Sequence, residues 1–333
     1  MRVSITDVAR AAGVTPAVVS RVLNGDPTLQ VREQTRDRVL TAARDLDYAP
    51  SHAARALRSS RSNTLGLAVH DMANPLYGEI IMGAQRAATD AGYVLLLADI
   101  DGLARGDVTF RRAVQGGAMD GLLLQRAGTA ADRKIVKTAS SRIPTVLLND
   151  RSSALAAAAL DDVGGSRLAT RHLLELGHRR IGHLRLGGTS RSGARARGWR
   201  ETLTQAGEEP RWLADGGHTI ETGRQGMHEL LAGPERPTAV VAGNVLAAVG
   251  ALTAARESGL AVPDDLSLIA FHDIPYAAHL TPPLTTVAMP LHELGAAAVT
   301  LLLERLDGGK ERQVVVREPP PRLVERGSTA PPG

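Results

Sequence analysis

The chain has 333 residues, 43% hydrophobic and 22% charged, which suits a water-soluble protein of two or three domains. It holds no cysteine, so disulfides and thiolate metal sites are excluded and a reducing compartment fits. The net charge of +4 is unevenly placed: residues 1–62 carry ten arginines against six acids, and the remainder carries 29 basic and 29 acidic side chains.

A head that holds the whole cationic excess points to a polyanion, because arginines that neutralise phosphates release counterions. The sequence begins MRVSITDVAR with no apolar leader, and no run of about 18 apolar residues follows. A soluble, cytoplasmic protein with no membrane partner is expected.

Two short helices are predicted in SITDVARAAGVTPAVVSRVLN, residues 4–24. Ser4 with Asp7 forms a capping box, and Val8, Ala9 and Ala12 fall on one face. Gly13 stops the first helix; Thr15 and Pro16 restart the chain as N-cap and first helical residue. On the second helix Val19, Val22 and Leu23 point inward, and Pro16, Ala17, Ser20 and Arg21 share the outward face. This is the layout of a helix-turn-helix whose second helix enters the DNA major groove. An ordinary helical hairpin inside a larger core has the same pattern.

A loop, NGDPTLQ, leads to a third helix over about residues 32–47, with Thr35, Val39, Ala42, Ala43 and Leu46 inward and Arg32 a poor cap. Residues 49–63, APSHAARALRSSRSN, contain one or two helical turns, too few to be stable alone in water. One reading is a solvated linker. The other is a hinge helix that forms on DNA, wedges Leu57 into a minor-groove step and sets Arg55 and Arg58 near phosphates.

From Thr64 the pattern alternates. TLGLAV, YVLLLAD, GLLL, TVLLN, RIGHLRL, TAVVAG and LSLIAF are short apolar runs separated by amphipathic segments, which predicts parallel sheet covered by helices on both faces. About 270 residues exceed what one sheet holds, so two α/β subdomains are expected, with a ligand between them at the strand carboxyl ends. The stretch GGTSRSGARARG lacks the ending of a nucleotide P-loop, and no metal-ligand spacing or nucleophile–base motif is present, so no catalytic residue, cofactor or metal is expected.

The ordered set DVARAAGV, VSRVLNG, DYAPSHAARALR, NPLY, LATRHLLELGHRRIGHL, RARGW, PDDLSLIAFHDIP and LTPPLTTVAMP resembles the lactose-repressor and galactose-repressor family of bacterial transcription regulators, over essentially the whole length. The resemblance implies a small all-α helix-turn-helix head plus an α/β, periplasmic-binding-protein-like core of two parallel-sheet subdomains. The implied domains are a DNA-binding head at 1–48, a hinge at 49–63 and a core at 64–333. The core divides into an N-subdomain, about 64–161 plus 290–320, and a C-subdomain, about 162–289 plus 321–333. It implies a homodimer on a near-palindromic double-stranded operator, most often a repressor, controlled by a small effector that is usually a carbohydrate. The proline-rich tail has no leucine heptads, so a dimer is expected.

Carried onto this chain, the resemblance places Thr15, Pro16, Ala17, Ser20, Arg21 and Asn24 at DNA. Arg21 would read a guanine, Ser20 would hold phosphate, and Pro16 and Ala17 would offer apolar contact. It also favours the hinge reading of Arg55, Leu57 and Arg58. The effector positions are Leu76, Tyr77, Asp150, Arg195, Asn244 and His272. Two acids common in the family are replaced here, by Val245 and His272, which raises the expectation of a less typical sugar, a sugar phosphate or another anion favoured by Arg195 with His272. The charge run Arg191, Arg195, Arg197 and Arg200 reads otherwise as a solvated face. The rival classes are a sugar-binding protein of transport and a doubly wound enzyme.

Overall fold

The computed structural model describes residues 3–23, 26–48, 61–100, 102, 108–187 and 190–333. The chain divides into two compact units, residues 1–62 and 63–333. The expected contacts of Asn24, Arg55, Leu57 and Arg58 lie outside the described residues, as does most of the predicted hinge.

The first unit contains α1 (Ile5–Ala12), α2 (Pro16–Leu23) and α3 (Glu33–Asp45). Ser4 Oγ accepts from Asp7 N at 3.3 Å and Ser4 N donates to Asp7 Oδ2 at 3.0 Å, closing the capping box from both sides. Gly13 ends α1 at φ 65°, a left-handed conformation that favours glycine. Thr15 Oγ1 then accepts from Val18 N at 3.4 Å and starts α2. Arg32 gives α3 no side-chain cap, as its chemistry predicts. Val8, Ala9, Ala12, Val19, Val22, Val39 and Ala43 fill the core, with Leu23, Ala42 and Leu46 packed against it. The inward stripes read from helical spacing are thus the faces that meet.

The second unit contains two six-stranded sheets. The first holds β1 (Thr64–Val69), β2 (Val94–Asp99), β3 (Gly121–Leu124), β4 (Thr145–Leu148), β5 (Ala157–Leu160) and β11 (Gln313–Val316), in the order β11-β5-β4-β3-β1-β2. The second holds β6 (Ile181–Arg185), β7 (Leu213–Asp215), β8 (Ala239–Ala242), β9 (Ser267–Phe271), β10 (Thr285–Ala288) and β12 (Arg322–Val324), in the order β12-β10-β9-β8-β6-β7. Neighbours are parallel except β12, which runs antiparallel to β10. All seven predicted runs form strands; β5, β7, β10, β11 and β12 are not apparent in the apolar pattern.

Among the described residues, α-helices of this unit include α4 (Leu76–Asp90), α5 (Val108–Gln115), α6 (Ala130–Ser140), α7 (Asp162–Glu175), α8 (Ser190–Gln205), α9 (Ile220–Leu231), α10 (Val245–Glu257) and α11 (Leu291–Leu306). The chain passes between the sheets after β5, after β10 and between β11 and β12. Each sheet is doubly wound, and its strand order reverses between β1 and β3 in the first and between β6 and β8 in the second. At such a reversal two helices leave on opposite faces, which opens a crevice at the carboxyl ends of the strands.

Three helix pairs approach closely through glycines. A Cβ on Gly83 of α4 would lie 1.9 Å from the His292 carbonyl oxygen of α11, and one on Gly250 of α10 would lie 2.0 Å from that of Ile220 of α9. One on Gly198 of α8 would lie 2.6 Å from the carbonyl oxygen of Val163 of α7.

Two histidines in this unit are structural. His178 Nδ1 meets Thr238 Oγ1 at 2.9 Å, and its Nε2 lies 3.0 Å from Ser267 Oγ and 2.9 Å from the Ala330 carbonyl, tying down the C-terminal segment. His183 is fully buried on β6, stacks on Trp199 with ring centroids 5.7 Å apart, and its Nδ1 donates to the Val241 carbonyl at 2.8 Å. Burial pushes its pKa down from 6.5 to about 4. The unfolded chain therefore takes up this proton first: the stability is complete above pH 6.5, declines as pH falls toward 4, and is level below that. We expect wild type to lose about 2 kcal/mol more than His183→Asn between pH 7.5 and 5.0 in urea denaturation. Parallel pH slopes for the two proteins would refute a neutral buried His183.

Candidate functional site

In the first unit, Thr15, Pro16 and Ala17 are exposed at the start of α2, and Ser20 and Arg21 are half-buried one turn later. The face that α2 turns away from its core is therefore the predicted one. Arg21 Nε donates to Asp26 Oδ2 at 2.7 Å and an Arg21 terminal nitrogen donates to Thr28 Oγ1 at 3.0 Å, while 41% of its side chain stays exposed. Thr28 and Arg21 together draw the Asp26 pKa down to about 2, so this pair is charged at any physiological pH. The loop that follows α2 holds the guanidinium in one orientation and leaves part of its fork open.

In the second unit, the two strand-order reversals face one cleft. From the first sheet it is lined by Asn74, Pro75, Leu76 and Tyr77 after β1, Gln125 after β3 and Asn149 after β4. From the second come Leu186, Arg191 and Arg195 after β6, His218 after β7, Asn244, Val245 and Leu246 after β8, and His272 and Ile274 after β9. The walls enclose about 480 Å³, open water included. The cleft is bridged: Arg191 donates to the carbonyls of Asn149 and Arg126 on the facing wall.

Arg195 is the most connected group in it. Only 1% of the residue is exposed. Its Nε donates to Asp162 Oδ1 at 2.7 Å, a terminal nitrogen meets the same oxygen at 2.7 Å, and the other terminal nitrogen donates to the Gly243 carbonyl. The guanidinium carbon sits 4.2 Å from the Phe271 ring centroid. The terminal nitrogen that meets Asp162 also lies 3.0 Å from His272 Nε2. Because arginine can only donate, Nε2 accepts, and the neutral ring carries its proton on Nδ1. Burial, then the charges of Arg195 and Arg191, hold the His272 pKa well below 6.5. His272 also has φ 72°, a left-handed backbone rarely adopted by residues with a side chain.

Three buried polar atoms along the cleft have no partner: Asn149 Oδ1, His218 Nε2 and His272 Nδ1. Buried polar atoms are seldom left so. His218 is held at a pKa of about 4, mainly by burial and then by the charges of Arg191 and Arg195. Tyr77 Oη donates to Gln125 Oε1 at 2.9 Å. Asn244 caps α10 by accepting from Ala247 N at 2.7 Å and donates to the Gly217 carbonyl at 3.0 Å, so it shapes the wall.

Of the six effector positions expected from the sequence, Leu76, Tyr77, Arg195, Asn244 and His272 line this cleft. Asp150 lines an adjoining recess with Arg126, Thr129, Asp132 and Ser190. The reading of Arg191 as part of a solvated charge run needs correction: it is buried, as is Arg195, whereas Arg197 and Arg200 are exposed. The alternation B-B-e-B-B-B-e-B-B-e along α8 shows why. Arg191 and Arg195 are one helical turn apart on the inner face, a spacing legible in the sequence once the inner face is known. Gln125, Asn149 and His218 follow strands or short loops with no motif of their own.

Two family models match the chain: one described as bacterial regulatory proteins, lacI family, over residues 4–51, and one as a periplasmic binding protein-like domain over residues 170–329. The HTH-type transcriptional repressor PurR of Photobacterium profundum is 34% identical over 332 residues, 98% of either chain. The ribose operon repressor of Escherichia coli (strain K12) is 33% identical over 333 residues, 98% of this chain and 99% of its own. The crystal structure of the lac repressor dimer bound to operator and the anti-inducer ONPF is 27% identical, with a TM-score of 0.83 over 99% of this chain and 100% of its own.

Proposed function

The chain belongs to the lacI family of bacterial regulatory proteins, as a DNA-binding transcriptional repressor answering to a small molecule, and from that premise we propose which of its residues carry each task. It works in the cytoplasm as a homodimer. Residues 1–48 bind an operator half-site, residues 49–63 form the hinge, and the two subdomains of residues 64–333, divided near 161, 289 and 320, close on the effector.

The observation that carries the DNA reading is the outward face of α2, with Thr15, Pro16 and Ala17 exposed at its N-terminal end and Arg21 steadied by Asp26. Residues at that end of a recognition helix reach base edges, and an arginine fork is the usual reader of guanine. Dimerisation is supported by apolar side chains left open on the first sheet's edge. Val94, Leu96 and Leu97 on β2 and Met82 on α4 are each 43–53% exposed. An uncovered apolar edge strand is a hazard that a second protomer removes.

The cleft serves as the effector site. Its walls come from both subdomains, so a change in their relative rotation changes its size. A ligand shifts that balance only by its differential affinity for the two arrangements. In the closed form Arg191 reaches across from α8 to the carbonyls of Asn149 and Arg126, and Ser190 Oγ lies 2.5 Å from Asp150 Oδ1.

The test is fluorescence anisotropy of the full-length protein on duplexes from beside its own gene and on random duplex, at physiological salt. At least tenfold preference for one of the former is expected; equal affinity for both refutes the reading. Arg21→Lys keeps the charge and loses the fork, so it is expected to retain affinity for random DNA while operator affinity falls 10- to 100-fold, about 1–3 kcal/mol. Equal loss on both duplexes would make Arg21 a phosphate contact.

A further inference from the structure

Resting on the reading of the cleft as the effector site, we infer that the effector is an anion: a small polyol with a carboxylate or phosphate group, seated against Arg191. Arg191 is 5% exposed, and its terminal nitrogens donate to the carbonyls of Asn149 at 2.8 Å and Arg126 at 3.1 Å. Among the described residues no carboxylate pairs with it. A buried cation held only by neutral carbonyls is costly, because Coulombic attraction does not offset its lost hydration.

The nearby acids are engaged elsewhere. Asp162 is bonded to Arg195. Asp150 accepts from Arg126 Nε at 2.5 Å, Ser190 Oγ at 2.5 Å and Arg151 N at 2.7 Å. Two arginines one turn apart thus face one cleft with a single carboxylate between them, and the charge of Arg191 disfavours that of Arg195. The sequence alone leaves a less typical sugar, a sugar phosphate and another anion open, the anion being placed on Arg195 with His272. The structure moves it, since Asp162 already answers Arg195.

The remaining lining suits the same class. Arg191, His218 and His272 line the same cleft. His272 Nδ1–H and Asn149 Oδ1 offer a donor and an acceptor for hydroxyls. Among the lining residues Tyr77 is the one phenol and there is no indole or phenyl, so a neutral ring finds little surface to stack on.

The experiment measures thermal shift and calorimetric binding for the full-length protein with matched probes: glucose, gluconate, glucuronate, glucose 6-phosphate, ribose and ribose 5-phosphate. At least one acid is expected to bind tenfold or more tightly than its neutral partner, and to weaken with added salt. The carboxylate and phosphate arms separate the two head groups. Arg191→Gln is expected to melt at or above wild type without ligand and to lose tenfold or more in anion affinity; Arg191→Lys is expected to retain most of it. Neutral sugars binding as well as acids, an Arg191→Gln protein that binds anions unchanged, or no melting shift with any anion would each overturn the inference. Gel shifts on the same preparations read DNA binding separately. Anion binding without operator binding would sink the regulator reading and support this one; operator binding released by a neutral sugar alone would do the reverse.

Discussion

Asp162→Ala is expected to cost about 3–5 kcal/mol of folding stability, because it removes the carboxylate that answers a buried arginine. Asp162 is 3% exposed and Arg195 1%. What remains around the guanidinium is the Gly243 carbonyl, the neutral His272 ring and the Phe271 face, none of which carries a negative charge. Asp162 also stands at the first position of α7, where a negative side chain meets the positive end of the helix dipole, and that contribution of a few tenths of a kcal/mol is lost with it. Chemical denaturation of the effector-free protein measures the loss. Asp162→Leu combined with Arg195→Met should recover most of it, since an apolar pair of similar size is often no worse than a buried ion pair. A single-variant loss below about 1 kcal/mol would mean that Arg195 reaches water and that the cleft stands open in solution.

Gly295→Ala is expected to destabilise by about 3 kcal/mol or more, against a helix-propensity gain of about 1 kcal/mol. The added methyl would lie 2.1 Å from the Ile80 carbonyl oxygen, a backbone atom that cannot turn aside. Gly83 makes the reciprocal approach from α4, so α4 and α11 must separate for either substitution. The double variant should therefore cost less than the sum of the two, as the helices part once. Because Leu76 and Tyr77 open α4, effector affinity should fall along with stability. Gly78→Ala on the same helix meets nothing within 4 Å and is the control, expected to be neutral or slightly stabilising. A Gly295→Ala protein as stable as this control would show that the two helices are not packed so closely.

The two predictions differ in how far sequence reasoning reaches them. Arg195 stands out by its motif, but its carboxylate partner does not: Asp162 precedes it by 33 positions and sits in an LDDVGG stretch that does not point to an arginine. The glycines of α4 and α11 carry no turn chemistry, and their role is visible only where two backbones meet. The strands divide similarly. Leucine- and valine-rich runs such as GLLL and TVLLN declare themselves, whereas β5 is AAAL, whose alanines favour helix, and β7 and β12 are three-residue edges.

What the amino-acid order determined by itself was everything set by near neighbours. This covers the Ser4–Asp7 cap, the Gly13 stop, the inward stripes of the head, the alternation of apolar runs with helices, and the basic balance of residues 1–62. Each depends on spacings of four residues or fewer, or on composition, so the information is local. The tertiary structure alone decided which two of four clustered arginines are buried and what they meet. Arg191 is bonded to backbone carbonyls 42 and 65 positions away, and the inner face of α8 exists only because two strand-order reversals bring β1, β3, β6 and β8 to one crevice. Burial converts an ordinary charge into an uncompensated one, and burial is a property of the assembled fold.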